Sequence, residues 1–196
     1  MRSFFDHMTP WLRNEGSLHV YALPDDRVRE RLVEASLLID GVVGLPRMPE
    51  SWLHMTVSRL AQFDDLPAAE LTRLAAALGR EVEGIGAFDI DFSAPWVSTD
   101  TVGCSGPSVP QWEALVSGVR RAASDSLGGE LPAPPRTPHT SLAYAIQDID
   151  DGPVLARLEG APQVGPMRID RVHLVSVTVR PEVGTFDWIE LANIEL

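Results

Sequence analysis

Two stretches of the chain place a histidine two residues ahead of a hydroxyl. They are His54-Met55-Thr56 within WLHMTVSRL (52–60) and His139-Thr140-Ser141 within TPHTSLAYA (137–145). An unperturbed imidazole titrates at about 6.5, so it can give or take a proton near neutrality. In-line displacement at phosphorus needs a base on the attacking oxygen and an acid on the leaving oxygen, on opposite sides. Two histidines supply both. A hydroxyl two residues further on can donate to a non-bridging phosphate oxygen, which positions the group and stabilises developing charge. A lone His-x-Thr is a weak signal: His7-Met8-Thr9 has the same form, but Pro10 follows it and no alternating strand surrounds it. The two retained copies share a following apolar residue, a β-patterned context and a place in separate halves of the chain. The plain alternative is a pair of half-buried histidines satisfied by hydrogen bonds.

The elements that carry these residues follow from periodicity. Side chains alternate along a strand. Leu53, Met55 and Val57 therefore take one face of the first segment, and His54, Thr56 and Ser58 the other. In the second segment His139, Ser141 and Ala143 share a face, with Thr140, Leu142 and Tyr144 opposite. SLHVYAL (17–23) reads as a strand closed by Pro24, and residues 25–39 as a helix with Val28, Leu32, Ala35 and Ile39 on its apolar face. A second helix starts after Asp65 and carries Leu71, Leu74, Leu78 and Val82. A third carries Trp112, Leu115, Val119 and Ala123 and ends at Gly128. AFDIDFSA alternates cleanly, with TDTVGCSG as its candidate partner, and a short helix is expected around Val154 to Glu159. MRIDRVHLVSVTVR and TFDWIELANIEL read as a closing antiparallel pair. Strands and helices intermix without a βαβ rhythm, which indicates an α+β fold with antiparallel sheets. Each half offers a motif strand, a helix and further strand, as in a two-lobed pseudo-symmetric arrangement.

Composition narrows the function classes. The 196 residues carry a net charge of −12, which disfavours an extended nucleic-acid track and suits a small phosphate ligand in a local pocket. All 16 basic residues are arginine. The absence of lysine excludes a P-loop lysine, a Schiff-base lysine and a ligase that adenylylates its own lysine. Cys104 is the single cysteine, so neither an intrachain disulfide nor a cysteine zinc cluster can form. No metal-binding motif stands out, and no cofactor is expected. No apolar run approaches the ~18–20 residues of a membrane span. The N-terminus lacks a secretory pattern, so a cytoplasmic monomer is expected. His19 and His173 lie on strands without a hydroxyl two residues on, so core or rim positions are expected. Arg59 reads as solvated at a strand end, and Tyr144 as packed away from His139. GCSGP around Ser105 fails the nucleophile-elbow pattern because Pro107 replaces the last glycine.

The segments HMTV and HTSL resemble the paired signatures of the 2H phosphoesterase superfamily, which includes bacterial 2′-5′ RNA ligase (LigT-like) proteins and cyclic nucleotide phosphodiesterases. HVYALP resembles that family's first strand, PHTSLAYA its second motif strand, and LVSV with TFDWIEL its closing strands. The resemblance covers the chain from about Leu18 onward, leaving 1–16 as an N-terminal extension of a single bilobal domain over 1–196. It implies two lobes flanking a central cleft, with one motif from each. His54 and His139 would then be the catalytic pair, and Thr56 and Ser141 the phosphate contacts. Serine stands at the second motif where threonine is common, and both keep the hydroxyl. The implied substrate is a nucleotide or RNA terminus carrying a 2′,3′-cyclic phosphate, or a 2′-5′ or cyclic phosphodiester. The same chemistry in reverse is an ATP-independent 2′-5′ ligation. A non-catalytic nucleotide-binding module with the same cleft is the alternative.

Overall fold

The computed structural model describes residues 1–196 except for the side chain of Ala61. A short helix α1 (Phe4–His7) precedes β1 (Ser17–Ala22) and helix α2 (Asp26–Leu37). A 3-10 turn at Glu50–Trp52 leads into β2 (Met55–Phe63), followed by α3 (Ala68–Val82), β3 (Phe88–Phe92), β4 (Trp96–Val97) and β5 (Thr101–Ser105). Helix α4 (Pro110–Leu127), β6 (His139–Tyr144), α5 (Gly152–Leu158), β7 (Gly165–Ile169), β8 (Arg171–Arg180) and β9 (Thr185–Glu195) complete the chain. The helices form where the apolar stripes predict them. Asp25 caps α2 by accepting from the Val28 amide at 2.9 Å, and Val28, Leu32 and Ala35 turn inward. Leu74, Leu78 and Val82 are the buried stripe of α3. Pro110 opens α4, and Gly128 stops it at a positive φ of 67°. Asp65 does not cap α3; it pairs instead with Arg13.

The architecture is α+β, with antiparallel sheets flanked by helices. Seven strands form one sheet in the order β4-β5-β6-β2-β1-β8-β9, and β3 pairs with β7 in a separate two-stranded ribbon. The seven-stranded sheet has two wings. One holds β4, β5 and β6; the other holds β2, β1, β8 and β9. They are joined at the two motif strands by a single register pair, Met55 opposite Thr140. The wings are not the first and second halves of the chain, because β8 and β9 return to lie beside β1. The helices are exchanged between them: α2, which follows β1, packs on β6, while α4, which follows β5, packs on β2. Each motif strand is thus backed by the helix that follows the strand paired with the other motif strand. AFDIDFSA does not pair with TDTVGCSG. Its strand β3 runs against β7, from Phe88 opposite Ile169 to Phe92 opposite Gly165, while β5 is engaged on both edges by β4 and β6. Alternation showed that both segments are strands; it carries no information about partners. The closing pair β8-β9 forms as expected, from Arg171 opposite Glu195 to Arg180 opposite Thr185.

Both motif strands contain a β-bulge at the same place. In β2, Thr56 lies opposite Tyr21 but Ser58 lies opposite Val20, leaving Val57 as the extra residue. In β6, Ser141 lies opposite Gly103 but Ala143 opposite Val102, leaving Leu142 extra. Each extra residue stands three positions after its histidine. A bulge inverts the alternation beyond it.

Candidate active site

The two histidines are held in the same way. His54 stands between the 3-10 turn and β2, and its Nδ1–H donates to the Trp52 carbonyl at 2.7 Å. His139 is the first residue of β6, and its Nδ1–H donates to the Thr137 carbonyl at 2.9 Å. In each case the acceptor is the carbonyl two residues upstream. Donation from Nδ1 fixes the tautomer and leaves Nε2 as the nitrogen free to exchange a proton. The His54 ring is further locked by Tyr21, which stacks on it at 4.0 Å with a 10° tilt. The Trp52 carbonyl also accepts from Trp188 Nε1 at 3.4 Å. Thr56 follows His54 on the same side of β2. Ser141 and His139 together line a cavity of about 160 Å³ with Gly103, Thr101, Tyr144, Trp96 and Phe4.

The bulges add two residues that strict alternation sends elsewhere. Beyond Leu142 the pattern inverts, so Tyr144 faces the His139 cavity rather than away from it. Beyond Val57 it is Arg59, opposite His19, that shares the side of Thr56. Ser58 turns to the helices, where Arg120 of α4 reaches its hydroxyl at 3.4 Å. Arg59 is therefore not a solvated strand end: its guanidinium lies over the Trp11 ring at 4.6 Å, and its Nε is buried. His19 lies in the same group of rings, 5.3 Å from Trp11 and 5.4 Å from Tyr21. His173, opposite Tyr21, pairs with the Glu190 carboxylate. Ser105 lies opposite His139, and its hydroxyl accepts from Trp96 Nε1 at 3.1 Å. Trp112 is in the core, as its helical spacing indicates. Among the described residues no group of three or more His, Cys, Asp or Glu side chains is placed to hold a metal ion.

Residues 1–16 form one wall of this face. Phe4 and Phe5 pack on Tyr144 and Phe186, at 4.6 and 5.9 Å for Phe4 and at 6.0 and 5.8 Å for Phe5. Trp11 also meets Phe186, at 5.7 Å. The segment is tied to the β6 wing by the Phe4 amide on the Ala145 carbonyl at 2.8 Å. On the β8 wing the Val179 amide donates to the Asn14 carbonyl at 2.8 Å. Sequence reasoning set this segment aside. Its signal was the density of large apolar residues in FFDHMTPWL, which must be covered by something.

Burial sets the electrostatics. It pushes the His54 imidazole down to about 4; the hydrogen bond to the Trp52 carbonyl opposes this and the charge of His139 adds to it. His54 is therefore neutral at pH 7. Burial, then His54, then Arg59 hold His19 well below the usual histidine range. Tyr21 is raised by burial and by Tyr144, with Thr56 hydrogen bonding in the opposite direction. Burial also pushes Tyr144 up to about 12, against a hydrogen bond from Ser141. The Cys104 thiol, buried in β5, is pushed up to about 12 and is a packing residue.

No protein-family model and no curated protein sequence matches the chain. Its fold is nevertheless that of solved LigT and phosphoesterase structures. The structure of TT0787 from Thermus thermophilus superposes with a TM-score of 0.71 at 20% identity, covering 92% of this chain and 97% of the other. Escherichia coli LigT complexed with NADP+ gives 0.68 at 15% identity, covering 93% and 98%. A crystal structure described as a phosphoesterase gives 0.67 at 15%, covering 92% and 98%. No helix among the described residues is long and apolar enough to cross a membrane.

Proposed function

We propose that this chain is a two-histidine phosphodiesterase that opens a 2′,3′-cyclic phosphate, or cleaves a 2′-5′ or cyclic phosphodiester, of a nucleotide or RNA end. The observation that carries the reading is the equivalence of His54 and His139. Each donates Nδ1–H to the carbonyl two residues upstream, each precedes a hydroxyl residue by two, and the strands behind them adjoin at Met55 and Thr140. Unrelated core histidines have no reason to share that arrangement. The fold shared with LigT adds support. The E. coli protein has been crystallised with 3′-AMP, with ATP and with phosphate, ligands of the class proposed here.

The difference in burial between the two histidines favours one division of roles. His54, held neutral by burial, takes the proton from the attacking water through Nε2. His139, more open to solvent, delivers its proton to the leaving ribose oxygen. Water oxygen bonds to phosphorus as the bond to O3′ breaks, leaving a 2′-phosphate, as the family resemblance implies. Thr56 and Ser141 donate to the non-bridging oxygens, where charge accumulates. Tyr21 keeps the His54 ring in its plane. With a 5′-hydroxyl in place of water the same two proton transfers give a 2′-5′ ligation driven by the cyclic phosphate, and the histidines exchange roles when O3′ attacks that 2′-5′ bond and expels the 5′-hydroxyl. Both proton transfers are assigned to imidazoles, so the reading calls for no metal. Turnover of a panel of nucleoside 2′,3′-cyclic phosphates in excess EDTA tests it. Undiminished hydrolysis to the 2′-phosphate is expected. Activity abolished by EDTA and restored by zinc would contradict it.

A further inference from the structure

We propose that His19 and Arg59, beneath Trp11, form a second anion subsite beside His54 that takes a further phosphate group of the substrate, such as the 5′-phosphate of a nucleoside 2′,3′-cyclic phosphate. The inference rests on the two-histidine reading of the neighbouring site. Its basis is a buried imidazole beside a half-buried guanidinium whose Nε has no polar partner. His19 is 5% exposed, and both its ring nitrogens lack a hydrogen-bond partner. The Nε of Arg59 is likewise buried and unpartnered, and among the ion pairs of the described residues none involves Arg59.

Buried polar groups in folded proteins nearly always find partners, and a half-buried guanidinium without a carboxylate is costly. Here the two stand opposite each other on β1 and β2, in a protein with twelve more acidic than basic side chains by formal charge (28 − 16). No acid has been placed to satisfy them. The group that covers them is the aromatic face of Trp11, which offers a guanidinium only cation–π contact. Trp11 sits in a segment without regular helix or strand, between Met8 and Gly16. It covers the subsite without bonding to it and can lift without breaking a sheet.

The placement suits one ligand class. Along β1, His19 is followed at Tyr21 by the ring that stacks on His54, so Tyr21 links the subsite to the proposed reaction centre. A guanidinium with a neighbouring imidazole N–H provides charge-assisted donors for a phosphate monoester. Burial lowers the pKa of both groups.

The test is equilibrium binding in the His139→Ala background, so that turnover plays no part. The two probes are adenosine 2′,3′-cyclic phosphate and the same compound carrying a 5′-phosphate. The 5′-phosphate is expected to tighten binding on the order of tenfold or more. Arg59→Gln should erase that gain and bring the two probes to equal affinity, and Arg59→Lys should retain part of it. Equal affinity for both probes in the Arg59 protein overturns the subsite, and needs no variant that might misfold. A gain that survives Arg59→Gln overturns it as well. Turnover of both probes by the unmodified protein is followed separately. Equal affinities with normal turnover reject the subsite alone, whereas a 5′-phosphate gain with no turnover supports the subsite and rejects the reaction.

Discussion

His54 is the residue on which the proposed chemistry and the stability of the protein meet. Its folded pKa of about 4 lies below the ordinary 6.5 of the unfolded chain, so the unfolded state binds the extra proton between those values. Stability is therefore complete above pH 6.5 and falls as the pH drops toward 4. For this group alone the loss is about 3 kcal/mol, at about 1.36 kcal/mol for each pH unit between the two values. His19 titrates in the same direction. Denaturant melts of the wild type and of His54→Gln between pH 7 and 4 should show a shallower decline in the variant. Parallel curves would mean that His54 is not buried neutral. The same residue scale tests Tyr21. Its ring lies flat on the imidazole, so Tyr21→Phe should keep the stack and most of the activity. Tyr21→Leu should cost about 1 kcal/mol of ring-pair energy and slow turnover by reorienting His54. Equal rates in the two variants would remove Tyr21 as a positioning residue.

At the scale of elements, the matching bulges at Val57 and Leu142 decide what the site contains. They bring Arg59 and Tyr144 to the side of the two hydroxyls and send Ser58 to α4. Gly103 is the partner that permits the second one. A Cβ there would meet the Thr140 carbonyl oxygen at 2.8 Å, a backbone atom that cannot swing away. Gly103→Ala should displace β6 at Ser141, cost on the order of 1–3 kcal/mol by thermal melt, and reduce turnover more than Ala substitution at an exposed glycine such as Gly41. An unchanged melting temperature would show that β6 yields easily. These bulges also mark where the sequence stops being legible. The period of 2 placed His54 with Thr56 and His139 with Ser141 correctly, because those pairs precede the extra residues. It misplaced Ser58, Arg59 and Tyr144, which follow them. A bulge is set by the register of two strands distant in sequence, so it leaves no local trace in HMTVSRL or HTSLAY. Strand partners were hidden for the same reason, as β3 and β7 show. Helix positions were legible because helical hydrogen bonds and apolar stripes are local.

At the scale of the whole molecule, the protein is acidic, with 28 acidic side chains against 16 arginines. The net charge of −12 repels a long polyanion, and the proposed subsite provides few groups to release counterions. Binding of a 2′,3′-cyclic-phosphate-ended oligonucleotide should therefore gain little from length beyond the terminal nucleotides and should depend weakly on salt. A steep salt dependence that grows with length would point to a nucleic-acid track elsewhere on the surface. The N-terminal residues belong to this scale too. Phe4, Phe5 and Trp11 pack against the wings, and Phe4 lines the His139 cavity. The central claim is that the two wings exist to hold two imidazoles against one phosphate. Its most direct measurement is the hydrolysis rate of adenosine 2′,3′-cyclic phosphate by the wild type, His54→Ala, His139→Ala and the double variant, each verified as folded by circular dichroism. Each single loss should lower the rate on the order of 10²–10⁴, and the double variant should be little worse than either single one, because the two residues act as a unit. A folded single variant that hydrolyses the substrate at the wild-type rate would contradict the account.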